Sequence, residues 1–451
     1  MKSEKKMAKK GKSAREVAYY ALISFEKEKR RLDDIVDELL GKFSLDSRQR
    51  RFLKNLTSGV VRHLNYLDWF IARLYKGKLK KMFIKTRVLL RMALYEILFM
   101  EAIPARATLF EYGELTRRLI DRKTTGLVNG ILREFLRQKE KLDPQKEITD
   151  PVERLSVVYS FPQWLIRRWI GFWGTEETEA LCKKLNEPPR FDLRIVRKNI
   201  SPQKFKALLK EKKIAFKESP LFPDMVTVWD VQAVINAGWL DKGYCVVQDE
   251  SARLPVAALE PQPGETILDV CAAPGGKFTQ ILEAVQPDGM AVALDVDLKR
   301  LKRVKQNANR LGLKGGLYVY ADARHLPFKQ SFDKILVDAP CSGQGVIRKH
   351  PDIKWRREFA ELVEFSKLQQ DILESAFDLL KLGGRLAYST CTVDFLENEN
   401  IVNELKEKKG RDFRMLNLSD RFPTFSAQGA IRTFPHQHDT DGSFCALIEK
   451  K

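Results

Sequence analysis

Apolar side chains recur at three- and four-residue spacing through the first 140 residues, the period of a helix with one buried face. Arg15–Phe25, Leu32–Leu40, Arg48–Tyr75, Thr86–Met100 and Thr108–Arg137 carry this pattern, and Gly41, Gly77 and Pro104 interrupt it. No strand-like alternation falls among them, so residues 10–140 are expected to form an all-α helical bundle. A charged stretch, Gln138–Asp150, stopped by Pro151, reads as a linker. Residues 152–243 are mixed: strand-like Asp192–Val196 and Met225–Trp229 lie around a helix-like Ser201–Lys212, the pattern of a small α/β insert. Trp164, Trp169 and Trp173 share one helix-like stretch there, a placement more often core than binding platform.

From residue 244 to 451 short apolar runs alternate with helical patterns. Thr266–Val270, Ala291–Val296, Leu317–Ala321, Lys334–Asp338 and Arg385–Ser389 read as strands, with helices at Phe278–Val285, Leu298–Leu311 and Leu368–Leu380 between several of them. Such alternation predicts a Rossmann-like α/β domain with a mostly parallel sheet covered on both faces. The whole is therefore multidomain: helical bundle, small α/β insert, α/β domain. Ligands of such sheets bind outside the carboxyl ends of the strands, which is where the search for chemistry belongs.

Composition narrows the class. Of 451 residues 44% are hydrophobic, which excludes a largely disordered chain. No run approaches the ~18 apolar residues of a membrane span, and the basic start Met1–Lys6 leads into no apolar signal core. Six cysteines, none in CxxC spacing, make neither a disulfide scaffold nor a zinc ribbon. A cytoplasmic protein with free thiols, without a membrane partner and monomeric, is expected. The net charge of +20 is uneven: residues 1–150 hold 35 basic and 20 acidic side chains, and Arg51–Arg91 holds eleven Lys or Arg against the single acid Asp68. So one-sided a run points to a nucleic-acid partner rather than to a merely solvated surface.

Three constellations sit at predicted strand ends. The first, Leu268-Asp-Val-Cys-Ala-Ala-Pro-Gly-Gly-Lys277, runs from a strand through a tight turn into a helix. Gly275 and Gly276 let the backbone approach a ligand, and the helix start offers free N–H groups. It is neither GxGxxG nor a P-loop. Asp295 and Asp322 close the next two strands, where acids hold ribose hydroxyls and the amino edge of adenine. With Asp338 on the fourth strand they outline an adenosine pocket that fits S-adenosyl-L-methionine. The second constellation is Val337-Asp-Ala-Pro-Cys-Ser-Gly343 and the third Tyr388-Ser-Thr-Cys-Thr392.

Two cysteines beside a methyl donor have a specific use. C5 of a pyrimidine is too electron-poor to attack a methyl group unaided, and a thiolate added at C6 makes C5 nucleophilic. An acid such as Asp338 would support charge on the ring. Spacing alone does not rank Cys341 against Cys391 as the attacking thiol. A redox pair would need resolving-cysteine spacing, which both motifs lack. His436 and His438, without a clear third ligand, predict no metal site.

These motifs closely resemble those of the RNA cytosine-C5 methyltransferases of the Nop2/Sun superfamily. Val346-Ile-Arg-Lys-His-Pro-Asp-Ile-Lys-Trp355 narrows the resemblance to its bacterial Sun/RsmB branch, which modifies 16S ribosomal RNA and carries an N-terminal domain like the NusB factor. The resemblance implies that Cys271, Ala272, Ala273, Pro274, Gly275, Gly276 and Lys277 line the methionine end of the cofactor. It implies Asp295 at the ribose, Asp322 at the adenine and Asp338 at the junction of cofactor and base. Cys391 is implied as the nucleophile and Cys341 as the helper that releases product. Asp441-Gly-Ser-Phe-Cys445 departs from the family's Asp-Gly-Phe-Phe. The rivals are the same chemistry on transfer RNA or another ribosomal site, and a non-catalytic RNA-binding factor. Decay of the enzyme would have erased one of Cys341, Cys391, Asp338 or the Gly275-Gly276 turn, and all are present.

Overall fold

A computed structural model describes residues 12–451; the basic start and residues 10 and 11 lie outside the described residues. The chain divides into two compact units. One is Met1–Asn186 with His350–Arg356, the other Glu187–Lys349 with Arg357–Lys451.

The first unit is helical. Helices Ala14–Lys27, Leu32–Lys42, Ser47–Arg62, Leu64–Leu74, Ile84–Phe99, Ala105–Leu119 and Arg122–Gln138 form the bundle. Ser13, Asp46 and Asp121 cap three of their N-termini with side-chain oxygens. Ile84–Phe99 is buried from Val88 to Glu96 and is its axis. Each fully buried Leu or Phe of this core stabilises it by ~1.5–3 kcal/mol. Glu96, wholly buried, accepts hydrogen bonds from Arg15 at 2.9 Å and from the Tyr112 hydroxyl at 2.5 Å. One expectation is corrected: Arg48–Tyr75 is two helices, broken at His63 (φ −115°, ψ 24°). Both pieces bury a face in the same core, so the apolar period runs through the break. The charged stretch before Pro151 holds a short helix, Pro144–Glu147, followed by Pro151–Val158 and Gln163–Asn186, the last bent at Gly174. Trp169 is fully buried there, a core residue.

The seven residues His350–Arg356 complete this unit. Lys354 is buried, and its Nζ donates to the carbonyls of Arg62 (3.1 Å) and Ser160 (3.2 Å) and to Asn186 Oδ1 (2.7 Å), 3.7 Å above the Phe161 ring. Trp355 Nε1 donates to Val61 O at 2.7 Å.

The second unit holds two sheets. Strands β1 (Phe191–Ile195), β2 (Phe216–Glu218), β3 (Met225–Val228) and β4 (Cys245–Val247) form an antiparallel sheet in the order β2-β3-β1-β4, packed on helix Pro202–Glu211. The larger sheet begins with β5 (Thr266–Val270), β6 (Met290–Asp295), β7 (Gly316–Tyr320), β8 (Phe332–Asp338) and β9 (Leu380–Thr390), all parallel in the order β9-β8-β5-β6-β7. The C-terminal strands β10 (Phe413–Leu416), β11 (Ser426–Ala427), β12 (Ala430–Thr433) and β13 (Ser443–Lys450) extend it antiparallel beyond β9. The chain runs outward from β5 to β7, then returns to lay β8 on the other side of β5. That reversal opens a crevice at the carboxyl ends of β5 and β8. Register aligns Val270 with Val337 and Asp338 with Ser389, so three motif loops leave the sheet side by side.

Candidate active site

The loop after β5 is shaped by backbone demands. Cys271 has φ +68° and Gly275 φ +103°, the left-handed region. A Cβ on Gly275 would also meet Val304 at 3.1 Å, so glycine is required twice over. Helix Leu298–Arg310 holds the loop: Arg300 donates to Ala273 O and Asn307 to Pro274 O, each at 2.9 Å. Asp295, 2% exposed, accepts from the Ala273 N–H (3.2 Å) and the Asp297 N–H (2.9 Å). It therefore braces the loop that lies beside it. Asp322, just past β7, stands apart at the surface, where its carboxylate is gripped by Arg324; that bonding lowers its pKa to about 2.

Asp338, Lys277 and both motif cysteines converge. Lys277 Nζ donates to Asp338 Oδ2 at 2.7 Å, and Ser389 Oγ donates to Asp338 Oδ1 at 2.9 Å. Burial would lower the Lys277 pKa, but Asp338 outweighs it and holds the ammonium charged. Cys341 Sγ and Cys391 Sγ lie 3.2 Å apart. The hydrogen bond to Cys391, burial and nearby charge push the Cys341 thiol well up, so it stays protonated. Burial likewise raises Cys271. Cys182, Cys245 and Cys445 are buried in core, the behaviour of small hydrophobes.

Models of three families match successive stretches: the NusB family over residues 12–137, a Methyltr_RsmF/B-like ferredoxin-like domain over 161–234, and 16S rRNA methyltransferase RsmB/F over 256–449. A Bacillus subtilis protein named probable ribosomal RNA small subunit methyltransferase B is 32% identical, covering 97% of this chain and 99% of its own length. An Escherichia coli protein named ribosomal RNA small subunit methyltransferase B is 36% identical over 98% of this chain and 100% of its own. The chain belongs to the RsmB/F methyltransferase family. Among solved structures, that of PH0851 superposes with a TM-score of 0.79 at 27% identity, covering 96% of this chain and 97% of that one.

With RsmB/F membership comes the S-adenosyl-L-methionine cofactor, and the crevice fits it. Asp269 is 1% exposed, and neither carboxylate oxygen has a hydrogen-bond partner among the described residues. Burial, reinforced by the Asp338 charge, raises its pKa well above the usual carboxylate range. Asp269 and Asp338 thus lie beside the Lys277 cation, and Asp295 reaches Arg300 at 3.9 Å, an acid-rich surround in which a ligand bearing a sulfonium and an ammonium would be held. Sequence reasoning quoted Asp269 within its motif but gave it no task. It also passed over Glu397 and Asn398, and the Lys349 ammonium held at 2.6 Å by both Asp249 and Asp441.

The C-terminal departure from the family pattern has a structural account. Ser443 Oγ lies 2.9 Å from Thr433 Oγ1, Cys445 is buried in β13, and the Gly442 N–H donates to Gly345 O at 3.0 Å. A Cβ at Gly345 would strike Gly442 O at 1.9 Å, so the two glycines permit this close approach. His438 Nδ1 accepts from the Phe434 N–H at 2.9 Å and its Nε2 lies 3.1 Å from Thr424 O, and among the described residues no group of three or more His, Cys, Asp or Glu is arranged to hold a metal. No described helix is long and apolar enough to cross a membrane.

Proposed function

We propose that this chain methylates C5 of a cytosine in 16S ribosomal RNA through a covalent adduct between Cys391 and C6 of the base. The observation that carries this reading is the pair of sulfurs 3.2 Å apart at the ends of β8 and β9, beside Asp338. The Cys391 thiolate attacks C6, an S–C bond forms, and the C5–C6 π pair moves onto C5. S-adenosyl-L-methionine would supply an electrophilic methyl group for that carbon, its sulfonium leaving as the neutral thioether. Transfer of the C5 proton to solvent water then returns the C–H electron pair to the ring as the C5–C6 double bond, and the C6–S bond breaks to free Cys391 as thiolate. Cys341, held as a thiol against Cys391, assists this release. Asp338, fixed by Lys277 and Ser389, stands where cofactor and base meet. Cys271–Lys277 would line the methionine end, Asp295 the ribose and Asp322 the adenine edge. The names of the relatives support the small-subunit RNA as substrate.

Cys391→Ala should form neither 5-methylcytosine nor an RNA adduct. Cys341→Ala should methylate once and remain attached, running as a shifted band on denaturing electrophoresis. A stable adduct from Cys391→Ala, with none from Cys341→Ala, would reverse the two roles. Absence of any change in 16S 5-methylcytosine between cells with and without the protein would reject the substrate.

A further inference from the structure

Glu397 and Asn398 are wholly buried, adjacent in sequence, and bonded to the residues that flank each motif cysteine. Cys341 lies between Pro340 and Ser342. Ser342 donates to Glu397 twice, from its N–H at 2.8 Å and from its hydroxyl at 2.5 Å. Gln369 Nε2 donates both to Glu397 Oε2 (3.1 Å) and to Pro340 O (2.8 Å), so the other flank is tied to the same carboxylate. Cys391 lies between Thr390 and Thr392. Thr390 Oγ1 donates to Asn398 Oδ1 at 2.5 Å, and Asn398 Nδ2 donates to Thr392 O at 3.1 Å. Ser342 Oγ and Thr392 Oγ1, 2.9 Å apart, join the two halves, and the Tyr388 hydroxyl fixes the backbone by donating to Glu397 O at 2.6 Å.

A buried pair of this kind is costly as filler. Among the described residues no cation pairs with Glu397. A carboxylate buried without a counter-ion stabilises a fold less than an apolar side chain of its size. The bonds of Glu397 and Asn398 together are spent on two loops whose alignment decides whether two sulfurs meet one base. A displacement of about 1 Å at such a site costs about a hundredfold in rate.

We infer that Glu397 and Asn398 form a positioning clamp for the two cysteines, Glu397 setting Cys341 and Asn398 setting Cys391. This rests on the thiol-adduct reading above. The clamp divides the work by step: Asn398 governs addition to the base, and Glu397 governs release. The Glu397 charge is also among the causes that keep Cys341 a thiol.

The test uses the full-length enzyme with S-adenosyl-L-methionine and two 16S-derived RNAs, one ordinary and one carrying 5-fluorocytidine. Fluorine at C5 cannot leave as a proton does, so the fluorinated RNA traps the adduct and reports addition. Ordinary RNA gives a lasting adduct only when release fails. Glu397→Ala should raise the ordinary-RNA adduct at least about tenfold over the unmodified enzyme, with trapping on fluorinated RNA unchanged within about threefold. Asn398→Ala should lower trapping on fluorinated RNA at least about tenfold and accumulate no ordinary adduct. Melting temperature and calorimetric cofactor affinity monitor the fold. Should either alanine variant fail to fold, Glu397→Gln and Asn398→Asp keep the shape and should show the same split, weakened. Any other pattern overturns the clamp, including equal loss in both variants or none in either. Two controls separate this from failure of the adduct reading itself: the unmodified enzyme must be trapped by fluorinated RNA, and Cys391→Ala must not be. If either control fails, the adduct reading falls and the clamp with it.

Discussion

Asp269 and Asp295 are both buried acids beside the same loop, yet their surroundings are opposite. Asp295 is satisfied by two backbone N–H groups, whereas Asp269 has no donor among the described residues. Asp295→Ala should therefore weaken cofactor binding and stability together, at ~1.5–3 kcal/mol for each charged hydrogen bond lost. Asp269→Asn should separate the two. Calorimetry should show S-adenosyl-L-methionine bound at least about tenfold more weakly, or ~1.4 kcal/mol, while the cofactor-free protein melts no lower than the unmodified one. The sign of the pH effect follows. The pKa of Asp269 is raised in the fold, so the native state holds the proton longer than the unfolded chain does. Stability of the cofactor-free protein then falls as pH rises above the ordinary value of 3.8, and the Asn variant should flatten that slope. An unchanged slope would remove Asp269 from this account. Cysteines, glycines and strand-end acids could be read from the chain because their types and spacing are rare together. Glu397 and Asn398 could not, since their partners lie as far as 55 residues away and nothing in a polar run announces them.

At the level of elements, the basic run Arg51–Arg91 sorts into two populations. Arg91 is buried against Asp68 and Glu26, Arg87 pairs with Glu26, and Arg73 with Glu147. Lys76, Lys78, Lys80, Lys81 and Lys85 are exposed and pair with no acid among the described residues; in sequence they flank Phe83, which is 83% exposed. Free lysines on the same stretch as an open aromatic ring suit phosphates and an unstacked base. Replacing Lys78, Lys80 and Lys81 with Gln should flatten the dependence of log affinity for RNA on log salt by about 2, at ~0.7 per single-strand phosphate. Phe83→Ala should weaken binding by ~1–3 kcal/mol with the slope unchanged. Filter binding at several salt concentrations checks both, and equal slopes for the lysine variant and the unmodified protein would place the RNA elsewhere. The sequence located the run but could not tell engaged arginines from free lysines, because pairing is a property of packed helices. The same limit hid the break at His63. The parallel strands β5 to β9 were legible, being apolar runs of the right length with helices between several of them. The antiparallel extension β10 to β13 was not read: three of its strands are two to four residues long, too short for an apolar run to stand out.

Across the whole molecule, the helical unit is closed by residues that arrive from far along the chain. A fragment ending at Asn186 would leave the carbonyls of Arg62 and Ser160, the Asn186 amide and Val61 O without their Lys354 and Trp355 donors. Each buried acceptor left bare costs ~1–3 kcal/mol. The fragment should therefore melt well below the unit in the intact protein. A peptide spanning residues 346–358 should raise its melting temperature in a saturable way, whereas the same peptide with Lys354→Ala and Trp355→Ala should not. Calorimetry showing no difference between the two peptides would make the insertion incidental.

That insertion also sets an order of synthesis. An N-terminal domain ordinarily folds as soon as it has been made, but this one lacks its final segment until about 170 further residues have been translated. At ~5–20 residues per second the wait is on the order of ten to thirty seconds. Through that interval the helices are present but unsealed, and Lys354 reaches them only after Cys341 has already left the ribosome. The helical unit is therefore finished only in a chain that has also made the first of its two motif cysteines, so a product truncated before Lys354 carries an incomplete helical unit.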